Sequence, residues 1–547
     1  MPRGATERAP TLVAIALLIA FAAQCLGSMR LKSATYDEPA YMAAGHTALM
    51  TGVDLNPAHP PLMKYLIALP LFLVGASPAT ALPNWRQWVE AGSTDGVDFL
   101  FTNRVDADTL LFAARSAVVC VALLLGVLVW VWARRLYGPW AAVVALGLYA
   151  FNPDVIAQST LASLDLGLAA GVAVASYALW RAYERPSIVT GLGAGAALAA
   201  AALIKSPALL LLAFLPIELA AAIVLARRAK PSEGTVRTTA LLRTTAVALV
   251  TTACLVTVAY GPHHFGLADY AASLRLGLFH RDQFMNQQYQ FFCWGRYSVD
   301  GFWWYFLAAY LLKAPIPLLL ATLATIVWLA RRRPVRFAEA FLVLPVVGFV
   351  VATAFVRDAM GIRYLLPIYV PLFVLIGGMS IDAWHAARRF AATSPVAHRF
   401  ATGTAGLLAT VYVGGTLWIY PDHLAFFNGL FCGPGQGIRY LDDSNIDIGQ
   451  DFKQLVTYLR EHRIERVRGV YNPMHFAGFV IPYYAAPFDW MSLDEVRHPR
   501  PGWYAVSTQF LQRPVLSKDR PDVRFDWLDR YEPVAKIGWS IYLYRFD

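Results

Sequence analysis

About eleven apolar stretches of roughly 20 residues recur along the first three-quarters of the chain, and nothing else constrains its fold as strongly. They lie near 11–28, 112–132, 140–156, 164–181, 188–204, 207–226, 244–260, 304–329, 338–356, 364–382 and 402–420. The stretch at 188–204 is short and rich in Gly and Ala, which leaves the count open by one. The chain has 547 residues, 57% hydrophobic and 15% charged, whereas soluble domains carry roughly half and about a quarter. The expected fold is an α-helical polytopic membrane protein.

Lys and Arg beside the spans set the orientation. Arg3 and Arg8, Arg134 and Arg135, Arg181 and Arg185, Arg227, Arg228 and Lys230, Arg331 to Arg333, and Arg388, Arg389 and Arg399 fall on one set of loops. They alternate in register if the N-terminus is cytoplasmic, as in a multi-pass protein of the cell inner (plasma) membrane. The net charge of +10 is then mostly topogenic, and no nucleic-acid partner is needed to explain it. With an odd number of spans, the tail from about 421 lies outside. The first span lacks an Ala-x-Ala-like exit and is read as an uncleaved anchor. The five cysteines show no metal-ligand spacing. Cys293 and Cys432 are both expected outside, where they could pair.

Two domains are expected: a membrane domain over 1–420 and an extracytoplasmic α/β domain over 421–547. The first external loop, 29–111, should hold interfacial helices. Pro39 suits the first turn of one running to about Met50. Another should start at Pro60 and Pro61 and carry Leu62 to Val74, too short to span and fitted to the interface. A second large external loop, 261–303, leads into the aromatic run Phe302 to Phe306, which suits an interfacial belt. In the tail, 449–463 reads as an amphipathic helix. Val467 to Tyr471, Trp503 to Ser507 and Ile541 to Tyr544 read as strands. Tyr471, Tyr483, Tyr484 and Trp490 suit either acceptor binding or the packing of a small domain.

The chemistry-bearing residues gather on the external face. Asp37 and Glu38 stand where the chain leaves the first span. A carboxylate there meets a water-soluble hydroxyl from one side and a lipid-borne reagent from the other. Neighbours on a helix point about 100° apart, so a shared-proton dyad is difficult, and a division into base and orienting group fits better. The plainer account is helix capping. Asp165, at the external start of the fourth span, is a functional candidate by its place in an apolar helix, again with capping as the plainer account. Lys205 and Arg363 break the rule that short external segments are poor in cations. They suit anion binding, against snorkelling as the bland alternative. His59 and Lys64 add two further donors. Lys313 falls inside the expected span 304–329, where an unpaired charge is costly. Acids beside cations on one membrane face suggest a base working next to a bound phosphate. No Walker loop and no GxGxxG following a strand is present.

These motifs resemble the family 39-like, lipid-carrier-dependent glycosyltransferases, the superfamily of protein O-mannosyltransferases and lipid A aminoarabinose transferase. The points of contact are Asp37-Glu38-Pro39, His59 to Leu62, Arg134 to Gly138, Asp165, Lys205, Lys313 to Pro315, and Arg363 to Pro367. In the tail they are Asp443 to Asp451 and Pro501 to Ser507. The chain departs from relatives at Gln158, where His is frequent, at Ile448, where Trp is frequent, and at His59, where the aminoarabinose branch tends to carry Lys. The resemblance implies a GT-C-like fold and transfer of a sugar from a polyprenyl-phosphate carrier to an acceptor hydroxyl on a protein, lipid or glycan. It implies catalytic roles for Asp37, Glu38 and Asp165, and carrier phosphate or sugar binding by His59, Lys64, Lys205 and Arg363. A lipid phosphate is a good leaving group, so one base suffices, and fixed cations serve best where charge develops on the departing phosphate. Attack opposite the phosphate implies inversion. The scheme needs no metal, though it leaves room for a divalent ion near the acids. The alternative is a transporter or flippase of a lipid-linked or anionic substrate. Against it stand the absence of an internal repeat and of matched broken helices.

Overall fold

The computed structural model describes residues 3–82, 96–229, 234–260, 266–284, 290–332, 336–390, 394–431, 433–492, 495–496, 498–512 and 525–547. Every expected apolar stretch is helical. Among the described residues, 6 helices are long and apolar enough to cross a membrane: Arg8–Leu31, Ala107–Tyr137, Ser206–Arg228, Gly234–Ala259, Ile362–Arg389 and Pro395–Trp418. Two further stretches are broken, so the absence of broken helices does not stand as an argument against a transporter. Pro139–Ala150 and Pro153–Ser159 meet at 64°, and Tyr305–Lys313 and Ile316–Arg331 meet at 120°. Counting each bent pair as one span raises the number to 8. The other three stretches are the helices Asp165–Glu184, Ile188–Ala202 and Phe337–Thr353.

Not every stretch is a straight helix of full spanning length, and the physical reasons are local. Both breaks fall before a proline, whose ring pushes the preceding residue out of the helical region. Asn152 has ψ 120° and Ala314 has ψ 133°. Lys313 therefore lies at a sharp corner instead of inside a straight span. The 15-residue helix Ile188–Ala202 reaches only about 22 Å at 1.5 Å per residue. Its small residues serve packing: a Cβ on Gly195 would sit 2.4 Å from the Ala248 carbonyl oxygen, so Gly lets this helix press against Gly234–Ala259.

The segment after the first span holds the two short helices expected of it, Glu38–Thr51 and Pro61–Leu73. The aromatic run at 302–306 is divided. Trp303 is exposed, whereas Tyr305 and Phe306 are buried, so only part of it can form a belt. The Cys293–Cys432 pairing falls on Cys432, which is outside the described residues; Cys293 itself is buried.

The tail folds around a small sheet. Its strands are β3 (Val467–Val470), β4 (Phe488–Trp490), β5 (Gly502–Ser507), β6 (Ala535–Ile537) and β7 (Ile541–Phe546), following the hairpin strands β1 (Phe291–Cys293) and β2 (Arg296–Ser298). The order is β4-β3-β5-β7-β6, with β3 parallel to β4 and β5 and the remaining pairs antiparallel. The amphipathic helix Phe452–Glu461 buries Phe452, Leu455, Val456 and Leu459. The molecule is thus a helical polytopic membrane protein carrying a small C-terminal sheet unit.

Candidate functional site

Asp37 and Glu38 open the helix Glu38–Thr51, with Pro39 in its first turn. Their side chains have different fates. Glu38 is completely buried, and each of its oxygens accepts two hydrogen bonds. Oε1 accepts from Arg115 Nε at 2.7 Å and from the Ala162 amide at 2.8 Å. Oε2 accepts from Arg115 Nη2 at 2.6 Å and from the Thr35 amide at 2.9 Å. Arg115 donates its other hydrogens to the carbonyls of Met29, Lys32 and Ser33. Burial pushes the Glu38 carboxyl up, but the adjacent Arg115 charge and the four donors outweigh it and hold the carboxyl below its usual range. Glu38 therefore ties together the end of the first helix, the Asp37 turn and the turn that precedes Asp165. With both oxygens engaged by protein donors, the Glu38 carboxylate anchors the turn beside Asp37.

Asp37 is about one-third exposed at its side chain, and its Oδ2 accepts from Arg363 Nη1 at 2.9 Å. The same Nη1 lies 3.6 Å from Asp165 Oδ2. Asp165 Oδ1 accepts from Lys205 Nζ at 2.6 Å. Four residues that the sequence scatters over more than 300 positions thus form one chain of alternating charge, Asp37–Arg363–Asp165–Lys205. Backbone breaks place them. Asp165 heads the helix Asp165–Glu184, Lys205 sits in the extended residue before the turn Ser206–Leu209, and Arg363 lies in the turn Ile362–Leu365 that opens a long helix. The Tyr364 ring backs both cations, 5.1 Å from Lys205 Nζ and 5.8 Å from the Arg363 guanidinium carbon.

The other expected binding residues are less central. Lys64 is buried and donates to both Asp54 oxygens, at 2.8 and 2.7 Å, and to the Asn56 carbonyl at 2.6 Å. Burial lowers its pKa. It is committed to that loop rather than to the four-residue chain. The His59 ring stands edge-on to Tyr41 at 5.6 Å. Lys313 is buried and donates to the carbonyls of Leu424 at 2.7 Å and Asn445 at 2.8 Å, so backbone oxygens stabilise its charge.

Two residues at the site escaped the sequence reading. Arg115 stands inside an expected span, and its charge there was a signal that it needed a partner. Tyr41 lies one helical turn after Asp37, on the same face. Its hydroxyl is held well above its usual pKa by burial and then by the charges of Asp37 and Asp165. Among the described residues, no three His, Cys, Asp or Glu side chains come together in a group that could hold a metal ion.

Residues 107–257 match the family model described as dolichyl-phosphate-mannose-protein mannosyltransferase. The chain is also similar to apo ArnT from Cupriavidus metallidurans, at 15% identity and a TM-score of 0.43, over 99% of this chain and 98% of that one. For the same protein bound to undecaprenyl phosphate the figures are 16% and 0.43, over 97% of both chains. The apo oligosaccharyltransferase from Archaeoglobus fulgidus gives 13% and 0.48, over 87% of this chain and 60% of that one. No curated protein matches the chain. The family-model match, over residues 107–257, falls on one of the families that the motifs resembled.

Proposed function

We propose that this protein is an integral-membrane glycosyltransferase that moves a sugar from a polyprenyl-phosphate carrier to an acceptor hydroxyl on the extracytoplasmic face. The observation that carries the reading is the partly exposed Asp37 carboxylate held by Arg363, which in turn adjoins the Asp165–Lys205 pair. A partly exposed carboxylate beside one cation, with a second cation further along the same charge chain, suits base-assisted transfer from a phosphate.

Before a donor arrives the four charges balance in pairs. A carrier phosphate competes for Arg363 and Lys205, and drawing Arg363 toward it releases Asp37 to accept the acceptor proton. The bond from the anomeric carbon to the phosphate oxygen breaks as the acceptor oxygen attacks from the opposite side. The product is inverted, and the phosphate leaves on its lipid with its charge held by Lys205 and Arg363. Asp165 keeps both cations aimed, and Glu38 fixes the turn that presents Asp37. In this reading residues 1–420 form the catalytic membrane domain. Residues 421–547 form an extracytoplasmic domain, and the N-terminus is cytoplasmic.

The test is product analysis with a panel of short-chain polyprenyl-phosphate sugars and soluble acceptors. The reading expects stoichiometric polyprenyl phosphate and an inverted glycoside, both lost in Asp37→Asn. Turnover unchanged in that variant would overturn it. A transporter would instead move substrate across vesicle membranes without cleaving it.

A further inference from the structure

The tail run Asp443 to Asp451 resembles a motif of bacterial relatives, yet none of it belongs to the four-residue chain above. Its hydrogen bonds show where it acts. At its first end, Asn445 is fully buried and its Oδ1 accepts from the Ile362 amide at 3.1 Å, one residue before Arg363. Asn445 Nδ2 donates to the Tyr305 hydroxyl at 2.8 Å, and that hydroxyl accepts from the Gly361 amide at 3.1 Å. The Ser444 hydroxyl donates to the Met360 carbonyl. Contact is so close that a Cβ on Gly361, whose φ is +89°, would lie 2.5 Å from Ser444 Oγ.

At its second end the same run pairs with the segment that leads into Asp37. The Ser33 amide donates to the Gln450 carbonyl at 2.9 Å, and the Tyr36 amide donates to the Ile448 carbonyl at 3.0 Å. The Ser33 hydroxyl donates to the Gly449 carbonyl at 2.8 Å and accepts from the Phe452 amide at 3.1 Å. Lys32 pairs with Asp451 and Asp422. The run is itself fastened to the sheet unit, since Ser507 donates to Asp447 and Ser540 donates to Asp451.

We propose that Asp443 to Asp451 is a positioning strap: one loop of the C-terminal unit, bonded at once to the backbone beside Arg363 and to the backbone beside Asp37, sets the spacing of that pair. The proposal rests on the reading of Asp37 as the base. It gives the C-terminal unit a task in the reaction itself, since base and phosphate-holding cation come from distant parts of the chain and share no helix. It also accounts for Ile448. The contact to Tyr36 uses a backbone carbonyl, so a side chain other than Trp there keeps the strap intact. An error of about 1 Å at a reacting pair can cost on the order of a hundredfold in rate, so loosening either end should appear in kcat.

The experiment uses the full-length protein in detergent or nanodiscs. Asn445→Leu removes the Asn445 side-chain bonds to the Ile362 amide and the Tyr305 hydroxyl, Ser33→Ala removes the two bonds of the Ser33 hydroxyl while leaving the backbone pairing, and Ser33→Thr keeps a hydroxyl at the second end. Each is compared with wild type and Asp37→Asn for kcat, donor KM, unfolding temperature and amide hydrogen exchange over 32–38 and 360–364. The strap expects kcat to fall by on the order of ten- to a hundredfold in Asn445→Leu and Ser33→Ala, with an unfolding temperature close to wild type. Exchange should quicken at the segment each variant releases, and Ser33→Thr should recover most of the activity. If either of the two variants quickens exchange yet keeps full kcat, the strap is refuted while the base reading stands. If activity falls only in step with global unfolding, the loop is merely structural and the strap is refuted. An active Asp37→Asn removes the base reading and the strap together.

Discussion

Glu38→Gln and Asp37→Asn alter adjacent residues and should fail in opposite ways. Glu38 is fully buried and takes four hydrogen bonds, two of them from Arg115. Gln retains the shape but loses the charge, and its amide nitrogen must face a donor where an oxygen was. Removing one partner of a buried pair typically costs 3–5 kcal/mol, because the other charge is left uncompensated. Arg115 keeps three carbonyl acceptors, which points to the lower end, about 3 kcal/mol. That corresponds to more than a hundredfold in the unfolding equilibrium constant. The assay is unfolding in detergent followed by tryptophan fluorescence, with turnover measured well below the transition. Glu38→Gln should unfold earlier yet retain measurable turnover, and adding Arg115→Met should restore much of the stability, since neither charge is then stranded. Asp37→Asn should unfold like wild type and lose turnover. A Glu38→Gln protein with wild-type stability and no activity would refute this division of labour and put Glu38 on the substrate.

Three further outcomes follow from the same geometry. Arg363→Lys keeps the charge but not the guanidinium that bonds Asp37 through Nη1 and the Met360 carbonyl through Nε, and should lower kcat/KM by about 10- to 100-fold, measured with any donor that supports turnover. Lys205→Met leaves Asp165 with Arg363 as its remaining cation and should raise the donor KM more than it lowers kcat; a selective fall in kcat would assign Lys205 a different task. Burial, reinforced by the charge of Asp451, pushes Asp447 up to about 7 against hydrogen bonds from Ser507 and Gly449. A raised carboxyl pKa means the folded state holds its proton to higher pH than the unfolded state. Stability contributed there should fall as pH rises from about 4 to about 7, by about 4 kcal/mol at the upper limit. Asp447→Asn should flatten that dependence in pH-resolved unfolding, and an unchanged slope would contradict it.

Much of this was legible in the sequence, for physical reasons. Spans announce themselves by composition, and the helices Glu38–Thr51 and Pro61–Leu73 by the prolines at their starts. Asp37, Asp165, Lys205 and Arg363 stood out because charges at a membrane boundary are expensive, and the structure brings all four together. The corner at Lys313 was written in Pro315 and Pro317 but was masked by the apolar run on either side. The partners of Glu38 and Lys64 were not legible, since a buried acid engaged by Arg115 and a partly exposed acid look alike in sequence. Asp54 and Arg115 were those partners, at sequence separations of 10 and 77. The strap was visible only as a motif, because its contacts are largely to backbone atoms that leave no mark on composition.

The most direct measurement is mass spectrometry of the products formed by the purified protein with a polyprenyl-phosphate sugar and acceptor, wild type beside Asp37→Asn. The account expects polyprenyl phosphate and glycosylated acceptor in equal amounts from wild type, and neither from the folded variant. Equal product from both proteins would contradict it.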